Sequence, residues 1–201
     1  MQISLFEAEP DINLLPQDGT VHSYGMVFTQ TEARFYLESL LNFIPWQPDE
    51  VVIFGKRIVT SRKVAWFGDQ DFAYTYSNST RIALPWTKTL LQIKSKVEKV
   101  SGCLFNSCLL NLYHEGNEGM GWHSDDEKTL EPHSAIASVS FGAARKFSFR
   151  HKKTRETLSL LLENGSLLVM KDETQTHWHH SLPKTNRKVG IRINLTFRRM
   201  L

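Results

Sequence analysis

The 201-residue chain is 41% apolar and 22% charged, an ordinary make-up for a globular domain long enough to bury a core. Its net charge of +3 is too small to identify a polyanionic partner by itself, and no apolar run approaches the roughly 20 residues of a membrane span. Cys103 and Cys108 lack the spacing of a metal-binding CxxC pair, so reduced thiols, no signal or transit peptide, no membrane contact and a cytoplasmic location (nuclear in a eukaryote) are expected.

Residues 1–27 read as irregular. Thr29 and Glu32 then have the spacing of a capping box, with Phe28 just before the cap. Ala33, Tyr36, Leu37, Leu40 and Leu41 recur at helical steps, which predicts an amphipathic helix over 30–42 that Pro45 and Pro48 end. A second helix is expected from near Pro85, with Leu90, Ile93, Val97 and Val100 on one stripe and Gly102 as its stop. From residue 103 the texture changes to short β-branched and aromatic runs between Gly, Asn, Asp and Pro. Strands are expected at 104–113, 135–141, 145–150, 157–162, 166–170 and 189–198. The fold class that follows is α+β: a double-stranded β-helix, or jelly roll, with two supporting helices on the N-terminal side. The expected division is 1–50 as extension and first helix, 51–102 as a recognition region and second helix, and 103–201 as the jelly-roll core, all within one compact domain.

Two segments carry chemistry. In Trp122-His-Ser-Asp-Asp-Glu127, His123 and Asp125 are two apart, so in an extended chain they face the same side. A distant histidine would complete a two-His, one-carboxylate set, which leaves one face of an octahedral metal open, as a non-haem Fe(II) oxygenase requires. Thr176-His-Trp-His-His-Ser-Leu-Pro183 offers His177, His179 and His180, and spacing does not choose among them. The second segment, residues 189–198, alternates. Val189, Ile191, Ile193, Leu195 and Phe197 share one face, and Arg192, Asn194, Thr196 and Arg198 the other. A half-solvated strand would look the same, but two guanidinium forks on one face also suit a dicarboxylate. Asn111 and Tyr113 are paired on a strand face in the same way. Basic clusters at 56–57, 62–63, 150–153 and 187–188 can neutralise phosphates or simply be solvated.

Together these segments resemble the AlkB family of Fe(II)- and 2-oxoglutarate-dependent dioxygenases, most closely the double-strand DNA repair subgroup. The resemblance runs from about Val51 to Leu201. It is carried by Ile53-Phe-Gly-Lys56, Tyr74-Thr-Tyr-Ser77, Asn111-Leu-Tyr113, Trp122 to Glu127, Ile136 to Ala143, Phe149-Arg-His-Lys152, His177 to Pro183 and Arg192 to Arg198. It implies that His123, Asp125 and His180, which precedes Ser-Leu-Pro, hold Fe(II). Arg192 and Arg198 would grip 2-oxoglutarate, with Asn111, Tyr113, Asn194 and Thr196 lining the same pocket. His177 and His179 would then pack around the site. The implied reaction consumes O2 and 2-oxoglutarate, hydroxylates an N-alkyl carbon and releases an aldehyde, repairing N1-methyladenine and N3-methylcytosine.

A base within a duplex must be flipped out to reach a buried metal. By resemblance, Tyr76 and the His123 ring sandwich it, Tyr74 adds a polar handle, and Asp126 and Glu127 approach it. Phe54 would fill the gap in the stack, and Arg62 with the 150–153 segment would contact phosphates. The implied partner is alkylated DNA, duplex or single-stranded, bound by a monomer. Ser61 stands where the subgroup has proline before Arg62, and Thr185 and Asn186 replace basic residues, so the grip on the opposite strand is expected to be weaker. Competing expectations are a zinc hydrolase using the same triad, for which Arg192 and Arg198 have no task, a recognition module with a degenerate site, and a related dioxygenase acting on RNA or protein.

Overall fold

The computed structural model describes residues 12–53, 56–76 and 79–201, with side chains outside 50–58 and 74–81. In chain order the elements are β1 (Thr20–Met26), α1 (Gln30–Phe43), β2 (Gln47–Ile53), β3 (Lys56–Gly68), β4 (Ala73–Tyr76), β5 (Ser79–Ile82), β6 (Leu84–Pro85), α2 (Lys88–Ser101), β7 (Ser107–Tyr113), β8 (Met120–His123), β9 (Ile136–Gly142), β10 (Arg145–His151), β11 (Thr157–Leu162), β12 (Ser166–Lys171), α3 (Thr174–His177), β13 (Trp178–Leu182) and β14 (Arg192–Arg198).

The major sheet has the order β1-β12-β9-β14-β7-β3-β2, with β6 beside β3. A four-stranded sheet of order β11-β10-β13-β8 faces it, and β4 and β5 form a separate hairpin. These two sheets make the expected jelly roll. Strand alternation splits the core in two. Leu110, Val139, Ile193, Leu195 and Phe197 point from the major sheet toward Leu40 of α1 and Leu90, Ile93 and Val97 of α2. Tyr113, Ile136, Leu168 and Met170 point the other way, toward Phe147, Phe149, Trp178 and Leu182 of the smaller sheet. The site therefore lies between the sheets, and the helices brace the opposite face of the strands that build it.

Both helices begin and end as their sequences dictate. At α1 the Thr29 side chain accepts from the Glu32 amide, and the Glu32 carboxylate accepts in return from the Thr29 amide. At α2 Thr87 caps the start, and Gly102, at φ 67°, closes the end in the left-handed region. Two expectations are corrected. Residues 20–26 are not irregular but form β1, paired with β12 at the edge of the major sheet. Only Val21 there is fully buried, so no period-two pattern marks the strand. Residues 47–85, where no strand was expected, hold β2 to β6. The major sheet thus draws strands from all three stretches into which the sequence was divided.

Candidate active site

His123 ends β8 and His180 lies in β13, and the two strands pair so that these residues are directly opposite. Asp125 follows two residues after His123. His123 Nε2 lies 3.7 Å and His180 Nε2 3.8 Å from Asp125 Oδ1, and the two imidazole rings meet edge-on with centroids 4.3 Å apart. Asp125 and His180 are buried, whereas His123 is about one-third exposed. Metal–ligand bonds of about 2.0–2.2 Å place neighbouring donors roughly 3 Å apart, so each histidine needs to close on Asp125 by under about 1 Å to reach that spacing.

The His123 tautomer fits as well. His123 Nδ1 lies 2.8 Å from the Gly121 carbonyl, which accepts its proton and leaves the Nε2 lone pair facing Asp125. Burial, then the neighbouring His123, pushes the His180 imidazole down to about 3, so it stays neutral as a ligand must. Burial works against the charge of Asp125. Arg198, followed by the two histidines, outweighs it and holds this carboxyl well below the usual range. A second grouping, Asp18 with His151 and His177, also lies within ligand distance, but its chemistry is different. His151 Nδ1 accepts from the Thr154 amide, so Nε2 keeps the proton and donates it to Asp18 at 3.1 Å. No lone pair of His151 is left for a metal.

The strand expected to hold 2-oxoglutarate forms the floor of the same pocket. Ile193, Leu195 and Phe197 are fully buried against the helices, and Arg192, Thr196 and Arg198 are buried on the other face. The half-solvated alternative is therefore not what the fold builds. Here the two arginines separate. Arg198 donates from Nε and Nη2 to Asp125 Oδ2, at 3.1 and 2.7 Å. Arg192, 1% exposed, donates to the Ser140 hydroxyl at 3.0 Å and the Asn194 carbonyl at 2.9 Å. Among the described residues it has no carboxylate partner, and its Nε and Asn111 Oδ1 are buried without hydrogen bonds. Burial pulls Arg192 down to about 10. A buried guanidinium with neutral partners is costly to hold, and an incoming carboxylate supplies what it lacks.

The cavity itself measures about 120 Å³. His123, Asp125, His180, Arg192, Arg198, Asn111, Tyr113, Asn194 and Thr196 all line it. Ser138 and Ser140 of β9 were not singled out from the sequence. They lie opposite Thr196 and Asn194, and their two-residue spacing inside Ile136-Ala-Ser-Val-Ser-Phe141 is the signal that could have found them. Met120, Phe147, Met170 and Leu182 add apolar wall.

Other expected contacts fall differently. Glu127 lines the cavity, whereas Asp126 is exposed and lines a neighbouring hollow of about 420 Å³ rather than the cavity itself. Arg62 is not at a phosphate-facing surface. It is 5% exposed, lines the cavity, and pairs with buried Asp49 on the adjoining strand. His179 alternates to the outer face of β13, opposite Arg150. The Arg150 guanidinium lies 4.3 Å from the Trp122 ring centroid. Phe54 lies outside the described residues, as do the side chains of Tyr74 and Tyr76.

Among the described residues no helix is long and apolar enough to cross a membrane. The sequence profile of the 2OG-Fe(II) oxygenase superfamily matches residues 20–198. The chain is 40% identical to mouse (Mus musculus) DNA oxidative demethylase ALKBH2, over 96% of this chain and 85% of that protein. Human ALKBH2 is 39% identical, over 96% and 78% respectively. Human alkB homolog 3, an alpha-ketoglutarate-dependent dioxygenase, is 37% identical over 83% of this chain and 61% of its own length. The solved structure of OsALKBH1 superposes with a TM-score of 0.63, covering 92% of this chain and 99% of that one; at 14% identity this likeness speaks for the fold alone. With its His-Asp-His triad and buried arginine, this chain therefore belongs to the 2OG-Fe(II) oxygenase superfamily and, within it, to the AlkB family of Fe(II)- and 2-oxoglutarate-dependent dioxygenases, alongside the ALKBH2 relatives.

Proposed function

We propose that this protein is an oxidative DNA demethylase that removes N-linked methyl groups from N1-methyladenine and N3-methylcytosine. The observation that carries the reading is Arg192, buried without a carboxylate in the cavity that also holds His123, Asp125 and His180. The similarity to ALKBH2 demethylases supplies the nucleic-acid substrate. His123, Asp125 and His180 would hold Fe(II), which with 2-oxoglutarate and O2 supplies the oxidation of the methyl carbon. Arg192 would take the distal carboxylate of 2-oxoglutarate, with Asn194 and Ser140 fixing its guanidinium plane. Arg198 holds Asp125 by one oxygen and leaves the other turned to the histidines. The balance is closed: 2-oxoglutarate, O2 and an N-methyl group give succinate, CO2, formaldehyde and the N–H base.

The base would be flipped and stacked between Tyr76 and the part-exposed His123 ring, with Tyr74 and Glu127 at its polar edge. Arg150 and Lys152, on the outer face of β10 and just beyond it, would meet phosphates, and Trp122 beside Arg150 offers a stacking surface. A monomer working where DNA is kept, in the cytoplasm or a nucleus, fits this reading. The test is formaldehyde and succinate measured together from methylated single-stranded DNA, duplex DNA and RNA. Equimolar release from DNA is expected. Succinate without formaldehyde from any methylated DNA would remove the demethylase assignment.

A further inference from the structure

One buried ionic pair in the cavity has no task in holding iron or 2-oxoglutarate. Asp49 and Arg62 are 6% and 5% exposed, and both line the cavity beside Tyr113, Met120 and His123. Their placement is local in origin. β2 and β3 pair in register from Gln47 opposite Val64 to Pro48 opposite Lys63, and the next pair is Glu50 with Val59. The register shifts between these two pairs, so Asp49 and Arg62 both fall in the irregular stretch, where β3 carries more residues than β2. Bulges beside active sites re-aim side chains in this manner. Arg62 donates to the Asp49 carboxylate, its other terminal nitrogen lies 3.1 Å from Met120 Sδ, and its guanidinium carbon is 6.0 Å from the Tyr113 ring centroid. Its Nε is buried without a partner.

Among the described residues three arginines line the cavity, and they are treated unequally. Arg198 is bonded to Asp125 and Arg62 to Asp49, while Arg192 has only neutral partners. One guanidinium is thus kept for an anion, and the protein cancels the other two itself. Resting on the demethylase reading above, we infer that Asp49 is a specificity-determining residue: it neutralises Arg62, so the substrate side of the cavity accepts a positively charged methylated base. N1-methyladenine and N3-methylcytosine carry that charge, and an uncancelled Arg62 would repel it at close range in a poorly screened site.

N3-methylcytosine and N3-methylthymine make the test, because they match in shape and methyl position while only the first is cationic. The iron-loaded enzyme is assayed on single-stranded oligonucleotides carrying one or the other, and the ratio of their kcat/KM values is read. Asp49→Asn is expected to lower the methylcytosine-to-methylthymine ratio about tenfold or more, mainly through KM. Arg62→Gln, which leaves the carboxylate alone, is expected to raise it, and the double variant to return it to within about threefold of the parent ratio. A pair that only supports the fold would depress both substrates alike in each variant and leave the ratio fixed, and that result overturns the inference. Should Asp49→Asn fail to fold, the direction of change in Arg62→Gln decides by itself. If the unaltered enzyme releases no formaldehyde from methylcytosine, the demethylase reading has failed instead.

Discussion

The two oxygens of Asp125 carry separate duties. Oδ1 faces both histidine donors, and Oδ2 is held by the Nε and Nη2 of Arg198. This arrangement separates the effects of single substitutions. Loss of a ligand in His180→Ala or Asp125→Ala should abolish tight Fe(II) binding, whereas His179→Ala, on the outer face of β13, should retain it. Arg198→Ala should weaken iron as well, because it strips a buried carboxylate of its main charge partner. Arg192→Ala should keep its iron but raise the 2-oxoglutarate requirement by one to two orders of magnitude, since a charged hydrogen-bonded pair is worth about 1.5–3 kcal/mol. Metal content by spectroscopy and 2-oxoglutarate titration on the same samples check all five. Iron lost from His179→Ala and kept in His180→Ala would reverse the ligand assignment. Spacing could not choose among His177, His179 and His180, because a ligand is chosen by which strand lies opposite, and that is a tertiary fact.

At the scale of the element, the signals that proved legible are those in which the physics is local. The capping box of α1 is contained in four residues, and the structure has both of its hydrogen bonds. Lys96 of α2 adds an ion pair to Glu32 at 2.8 Å. That side-chain bond, then the bonds to Thr29, bring the Glu32 carboxyl down to about 2. A carboxyl depressed by folding stabilises fully above its ordinary range near 4.5 and loses that contribution as pH falls toward 2. Glu32 is more than a third exposed, so solvent screening limits the gain to well below what the shift suggests, on the order of 1 kcal/mol or less. Glu32→Gln should therefore lower the thermal midpoint by about 2–4 °C at neutral pH, and the difference should vanish near pH 2–3. A difference independent of pH would assign the loss to packing rather than charge. Strand β14 was legible for a related reason: a period of two over seven residues separates Ile193, Leu195 and Phe197 from Arg192, Asn194, Thr196 and Arg198. Strand β1 has no such period, since an edge strand with only Val21 fully buried is not required to alternate.

Across the whole molecule, duplex and single-stranded DNA make different demands. Flipping a paired base costs a few kcal/mol, and an apolar wedge in the vacancy recovers part of it. Phe54, between Ile53 and Gly55, is the residue proposed for that task. Phe54→Ala should slow repair of a methylated duplex about tenfold, equivalent to 1.4 kcal/mol, and leave the same lesion in a single strand within a few-fold. A proportional loss on both DNAs together with a lowered melting temperature would make Phe54 a core residue and leave the iron chemistry untouched.

What the sequence determined by itself was the inventory: the His-x-Asp step, an alternating arginine strand, two capped helices and a run of short strands. Each follows from neighbours within a turn or a few strand residues, where periodicity and capping act. Family resemblance then named His180 and joined the segments. Tertiary structure alone decided how charge is shared. It set Arg198 against Asp125, from 73 residues away in sequence, and buried Arg62 against Asp49 rather than at the surface. It also left Arg192 among Ser140 and Asn194 without a carboxylate. Which arginine is cancelled and which is kept for a ligand depends on what stands across the sheet, and strand pairing between distant segments is not written in local pattern.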